Sequence, residues 1–330
     1  MTQPGMEEAK EKSDGQTLVY VNLILAIVLA ALATPIVKWL LVHGGKLGIA
    51  NPNAISFCNI LFVGNICSGI VVLATFGWGR LWPQLKRLDA RTSLLLAGNI
   101  LIGTVVAPIL LYTALETTMV TNLVLLTRIE AVGYSILGVF LFKDPISKST
   151  WIGLAIITVG TITLALVQGQ FMKGDGLGLL AGILFAVGSA LGRSIVKQIS
   201  IPAFVFIRNL VGGIVFFCLA IILYGPDHFA HAFSADLWLA MTVYGALVVV
   251  LGQMTWFRAV GALSSGVVSA WSTLTPVLGI LFAYLIVHEI PDMSQWVAAL
   301  IIIGGLVITQ LRPARIATTP RMVEKGLAGA

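Results

Sequence analysis

Arg128 and Glu130 are opposite charges two residues apart, embedded in an apolar stretch that runs from 119 to 142. Each lies roughly ten residues from an end of that stretch, close to its centre. A charge at the middle of a lipid-spanning helix costs about 2.5–3.5 kcal/mol on insertion scales, so it belongs beside a cavity or a partner. Two residues turn through about 200° on a helix, so these charges cannot share one face. Glu130 continues a polar or small stripe with Thr127, Tyr134 and Gly138, whereas Arg128 lies with Thr121 and Ser135. Thr127, Arg128, Glu130 and Tyr134 are therefore the first candidates for a cavity wall that holds a charged solute, and Glu130 is the group that could carry a proton. The alternative is that one or both charges tie this helix to a neighbour, with Arg208 as a candidate partner.

The elements that position these charges are membrane spans. The chain has 330 residues, 58% of them hydrophobic and only 10% charged, with a mean hydropathy of +0.98. Soluble domains carry about 25% charge. Ten apolar runs lie near 18–41, 54–77, 93–113, 119–142, 151–170, 177–197, 202–224, 237–257, 264–287 and 295–311. About 20 apolar residues suffice for a helix to cross the hydrocarbon. Continuous apolar stretches such as Val297–Val307 favour helices over the alternating strands of a barrel. The connections are short, which leaves no sizeable soluble domain.

The net charge of +6 is informative through position. Threading the ten spans puts 15 of the 20 Lys and Arg residues on one side of the membrane and three on the other, with Arg128 and Arg208 inside spans. The positive-inside rule then places both termini in the cytoplasm and treats the basic residues as topological signals, not as a nucleic-acid surface. Cys58, Cys67 and Cys218 fall inside spans and read as small buried hydrophobes. His43, His228, His231 and His288 are scattered without metal-ligand spacing, and no cofactor is expected. The acidic tail before residue 18 argues against a transit peptide.

The chain is also internally repeated. Tyr112–Gly160 aligns with Phe257–Gly305 at an offset of 145 without a gap: Ala114 with Ala259, Asp144 with Glu289, Trp151 with Trp296, Gly160 with Gly305. Upstream, Ala31, Leu32, Ile36, Val37 and Lys38 match Ala190, Leu191, Ile195, Val196 and Lys197, and Ala54, Phe57, Leu61 and Gly64 match Ala203, Phe206, Leu210 and Gly213. Spans 1–5 thus correspond to spans 6–10. Five is odd, so the second copy enters the membrane from the opposite side, which makes an inverted repeat with its sites near the midplane. The expected architecture is all-α and integral to the membrane, with ten transmembrane helices as two inverted five-helix repeats. It divides into a polar cytoplasmic tail 1–17, a first repeat 18–170, a second repeat 171–311 and a basic cytoplasmic tail 312–330.

The second copy reads Phe257-Arg258-Ala259-Val260, then an apolar span containing Pro276, then Glu289, Trp296 and Gly304-Gly305. It resembles the EamA-type members of the drug/metabolite transporter superfamily. Their fourth and ninth helices carry a mid-span proline and finish in a glycine–glutamate pair. The Ile36-Val37-Lys38 ending of span 1 and Arg208 early in span 7 also fit that pattern. The chain departs from it at Asn59, where the arginine of helix 2 is expected, at Ala131, where a proline is expected, at Asp144 in place of glutamate, and at His288 in place of glycine.

The resemblance implies a secondary active transporter in the cell (inner) membrane. It would move a small polar, charged or zwitterionic organic solute by alternating access, with export the commoner direction among similar proteins. Substrate-binding candidates are Glu130, Arg128, Thr127, Tyr134, Trp271 and Asn59; gating or structural candidates are Arg208, Pro276 and Lys38. Trp271 is the one tryptophan deep in a span, fit either to stack on a planar or cationic solute or simply to pack. Arg208 is long enough to snorkel and suits an ion pair at a gate. Pro276 interrupts the ladder of span 9, as a hinge or a static kink, and Lys38 reads as an interfacial anchor. Gly178, Gly182, Gly188 and Gly192 allow close helix packing within one protomer or between two, so monomer and homodimer both stay open. Gly174, Gly176 and Gly178 follow no strand and are not a nucleotide loop. Any pumping therefore draws on gradients: proton coupling through Glu130, uniport and exchange are all compatible. The rival classes are a membrane-embedded enzyme acting on lipid-linked substrates, which needs paired carboxylates or a histidine cluster at one face, and a regulatory subunit, which has no use for mid-membrane charges.

Overall fold

In hydrocarbon every backbone amide must find its partner within the protein, which leaves helices as the economical way across. The computed structural model describes residues 4–43, 57–167, 173–225, 235–272 and 274–310, and its elements are all helical. Seven helical runs are long and apolar enough to cross a membrane: Gly15–Leu40, Ala90–Thr117, Val120–Phe142, Gly174–Ile195, Ile201–Leu223, Leu237–Ala262 and Ser265–Val287. An eighth is reached if α2 (Phe57–Phe76) and α3 (Trp78–Lys86), bent by 107° between them, count as one. The outer surface is apolar, with Phe140 and Ile222 each 77% exposed, as a lipid-facing surface requires. The protein is an integral membrane protein of helices.

The remaining elements follow in chain order. α1 covers Pro4–His43, so the helix begins well inside the polar stretch expected as a tail, 14 residues before the apolar run at 18. After α3 come α4 (Ala90–Asn99) and α5 (Ala107–Thr117), joined by a π-helical segment Ile100–Val106. The fourth predicted span is two helices, α6 (Val120–Leu126) and α7 (Ile129–Phe142). Then come α8 (Lys148–Val167), α9 (Lys173–Ile195) and α10 (Ile201–Tyr224). A π segment Gly245–Val250 joins α11 (Ala235–Tyr244) to α12 (Leu251–Ala262). The ninth predicted span is again divided, into α13 (Ser265–Ser272) and α14 (Thr275–Phe282), the latter ending in a π segment Ala283–Val287. α15 is Met293–Gln310.

Local features recur at the 145-residue offset. The π segments start at Ile100 and Gly245, α5 and α12 end at Thr117 and Ala262, α6 and α13 start at Val120 and Ser265, and α8 and α15 start at Lys148 and Met293. Among the described residues, Lys143 and His288 are the two non-glycine residues with positive φ, at 56° and 58°. Packing follows suit: α10 lies against the first π segment and α2 against the second, and α8 pairs with α15. That last pair is close because both sides lack a side chain at the contact. A Cβ built on Gly305 would fall 2.8 Å from the carbonyl oxygen of Gly153. On α9, Gly178 and Gly182 meet Leu123 and Thr127, and Gly188 meets Gly103, so this glycine series packs inside the protomer. Cys67 is buried as expected of a small hydrophobe, whereas Cys218 faces outward and corrects that reading; the side chain of Cys58 lies outside the described residues.

Candidate functional site

The two divided helices lie side by side and antiparallel. At the end of α7, the Asp144 carboxylate accepts a hydrogen bond from the Ser265 amide (2.8 Å) at the start of α13. At the far end, Glu289 accepts from the amides of Val120 and Thr121 (3.2 Å each) at the start of α6. Each carboxylate therefore caps the other half's helix, answering amides that have no intrahelical acceptor. Asp144 carries a second load, an ion pair with Arg193 of α9 at 2.5 Å, with both groups buried. Burial alone would push the Asp144 carboxyl up, but the hydrogen bonds from Arg193 and Ser265 outweigh it and hold the group below the ordinary aspartate value.

Between those caps both helices break at mid-depth. In the first, the ladder tightens: the amides of Arg128, Glu130 and Ala131 bond to carbonyls three residues back, at Leu125, Thr127 and Arg128. That shift takes the Arg128 amide away from the carbonyl of Val124, and the Arg128 side chain answers it instead, Nε to oxygen at 3.1 Å. In the second, Pro276 stands in the first turn of α14 and has no N–H for the carbonyl of Ser272 four residues back. Two donors reach that oxygen: the Thr275 hydroxyl at 2.6 Å and, from the other half, Arg128 Nη1 at 3.1 Å. Arg128 Nη2 completes the set by donating to Thr127 Oγ1 at 3.3 Å. The guanidinium thus sits where carbonyl ends of two half-helices converge, the position at which a cation is favoured.

Glu130 is placed differently. It is half-buried and turned toward α9, where the Ser189 hydroxyl donates to Oε1 at 3.3 Å. Among the described residues no cation lies within ion-pair distance of it. Tyr134, one turn along the same face, is buried between Glu130 and the Arg193–Asp144 pair, with its hydroxyl beside the Arg193 guanidinium. α7 and α9 thus share a polar seam running from Glu130 and Ser189 through Tyr134 to Arg193 and Asp144.

The other expected residues lie around this seam. Arg208 donates to Thr104 Oγ1 (2.5 Å) and to the carbonyl of Gly103 (3.1 Å) in the first π segment, and it lies over the Phe257 ring. Its partners are neutral, and no carboxylate among the described residues comes within ion-pair reach. Pro276 opens α14 instead of bending a continuous helix. Lys38 donates to the carbonyl of Leu115 at 2.5 Å, which ties α1 to α5. Trp271 is half-buried and meets Tyr20 of α1, ring centroids 5.9 Å apart. The side chain of Asn59 lies outside the described residues. Sequence reasoning missed Ser189 and Arg193. The signal for Arg193 was available: an arginine inside the run 177–197 demands a partner as much as Arg128 does. No group of three His, Cys, Asp or Glu suited to a metal occurs among the described residues.

A model of the EamA-like transporter family matches residues 17–166 and 172–311. The chain belongs to the EamA-like transporter family. This EamA-like protein is 31% identical over 299 residues to an uncharacterized transporter of Synechocystis sp., covering 88% of this chain and 86% of that one. It is 23% identical over 270 residues to an uncharacterized transporter of Bacillus subtilis, covering 79% and 80%. Over 182 residues, 52% of this chain and 61% of the other, it is 26% identical to a probable amino-acid metabolite efflux pump of Salmonella typhimurium. A crystal structure with 17% identity matches 86% of this chain and 96% of its own with a TM-score of 0.59, so the fold is shared. The EamA-like chain is thus a multi-span membrane transporter of a small molecule, and its family and relatives point away from catalysis.

Proposed function

We propose that this EamA-like protein is a secondary transporter of ten spans built as two inverted five-helix repeats. It sits in the cell (inner) membrane with both termini in the cytoplasm and exports a small polar organic solute by alternating access. One observation carries the reading. Two antiparallel helices, related by the 145-residue offset, break at the same depth and are joined there by Arg128 and Ser272. Broken helices paired at the repeat interface are where transporters place their sites, and Glu130 supplies a charge at that point. The recurrent helix boundaries support the repeat. The efflux activity suggested for the Salmonella relative supports the direction. The substrate site is assigned to the region bounded by Thr127, Arg128, Glu130, Tyr134 and Trp271, with Arg208 bracing the first π segment.

The test is solute flux in proteoliposomes with wild type and Glu130→Gln at matched incorporation. Loss of flux in a variant that remains monodisperse and folded is the expected result; full flux in Glu130→Gln would sink the assignment.

A further inference from the structure

The ionisable groups within the spans and at their ends differ in how they are bonded, and Glu130 stands apart from Arg128 and Arg208, the other charges at mid-span. Arg128 spends Nε, Nη1 and Nη2 on Val124, Ser272 and Thr127. Arg208 is committed to Gly103, Thr104 and the Phe257 ring. Arg193 gives both terminal nitrogens to Asp144 while its Nε has no hydrogen-bond partner, and Lys38 makes one bond to the Leu115 carbonyl. The acids are likewise occupied: Asp144 by Arg193 and Ser265, Glu289 by two amides, Asp175 by the Thr118 hydroxyl. Glu130 accepts one neutral hydrogen bond, at the long end of the range. A carboxylate offers about four acceptor directions, so most of its capacity is unused.

We propose that the bound solute presents a positively charged group, an organic ammonium, to Glu130. An ammonium brings three donors and no acceptor. It matches a carboxylate with unused lone pairs. A carboxylate-bearing solute would have to take Arg128 away from the carbonyls of both half-helices, uncovering backbone acceptors in a lipid-depth interior. The same accounting disfavours a zwitterion whose anionic end would have to draw on Arg128. The inference rests on the reading of this region as the substrate site, and it narrows that site to a cation-accepting one.

The experiment compares four probes that share a phenyl body: phenethylamine, phenylalanine, 3-phenylpropionate and 2-phenylethanol. Thermal stabilisation of the purified full chain is titrated with each, in wild type, Glu130→Gln and Glu130→Asp. Phenethylamine is expected to bind wild type at least about tenfold more tightly than the other three, to lose its effect in Glu130→Gln, and to bind Glu130→Asp more weakly. Glu130→Asp carries the test if Glu130→Gln does not fold. Preference for phenylalanine or 3-phenylpropionate, equal binding of 2-phenylethanol, no binding by any probe, or unchanged phenethylamine affinity in the variants overturns the proposal. Proteoliposome flux separates the two claims. An amine that binds at Glu130 without crossing leaves the cation site standing and removes the transport reading; flux of an anionic or neutral solute does the reverse.

Discussion

Arg128 Nη1 stands 3.1 Å from the carbonyl oxygen of Ser272, the oxygen that Pro276 leaves without a helical donor. A charge in the first half thereby repairs a gap that a proline opens in the second. The geometry makes Arg128 a strut between two broken helices, and it explains why a broad guanidinium with donors aimed apart stands where the compact head of a lysine would not span the same acceptors.

Removing the strut should be measurable as a coupling. Arg128→Met is expected to lower stability by about 1.5–3 kcal/mol, the range for hydrogen bonds that involve a charged group. Pro276→Ala restores an N–H to Ser272, so in the Arg128→Met background it should recover about 0.5–1.5 kcal/mol. A double-mutant cycle read by denaturation in detergent checks this. Strict additivity would mean that the two residues do not share the carbonyl.

Asp144 should make stability depend on acid. Its carboxyl titrates below the ordinary value in the folded protein, so the unfolded chain binds the proton more readily. The associated stability is fully present above about pH 4, the ordinary aspartate range, and drains away as pH falls further. Melting temperatures at pH 6 and pH 3.5 should therefore fall further apart in wild type than in Asp144→Asn. Equal falls would assign the acid sensitivity to other groups. Asp144→Ala, which strands the buried Arg193, should cost about 3–5 kcal/mol.

Lys143 and His288 hold left-handed backbone at the ends of two helices, where glycine is the default. Lys143→Gly and His288→Gly should each raise stability by about 0.5–1 kcal/mol, since an L side chain in that region is strained by an amount of that order or more. A loss in either variant would show that the side chain itself supports the fold.

Gly305 packs against the backbone of Gly153, a contact that cannot yield as a flexible side chain would. Gly305→Ala should lower stability by about 1–3 kcal/mol as α8 and α15 are forced apart. A neutral result would mean that the two helices slide past one another freely.

The sequence foretold much of this arrangement for a simple reason: apolar runs, the 145-residue offset and Pro276 are all written in residue type. It foretold less where the cause lies in a contact. The first half has Ala131 at the position of Pro276, so nothing local marks a break at Thr127, and the assignment of Arg128 to a charged solute followed from depth alone. Its true acceptors are backbone carbonyls, which carry no side-chain signature. The π segments were equally silent, since Ile100–Val106 and Gly245–Val250 are ordinary apolar runs. Arg208 was expected to seek a carboxylate, yet a widened helical turn supplied its acceptors. Asp144 and Glu289 were legible as repeat partners, but the helix each one caps lies far away along the chain.

That distance sets a timetable for synthesis. The amides that open α6 emerge from the ribosome 168 and 169 residues before Glu289, the group that answers them. At 5–20 residues per second the interval is roughly ten to thirty seconds. Throughout it, the start of α6 must stay at the wet face of the bilayer or in the care of the insertion machinery. A chain stopped before residue 289 therefore leaves those two amides without the carboxylate that caps them.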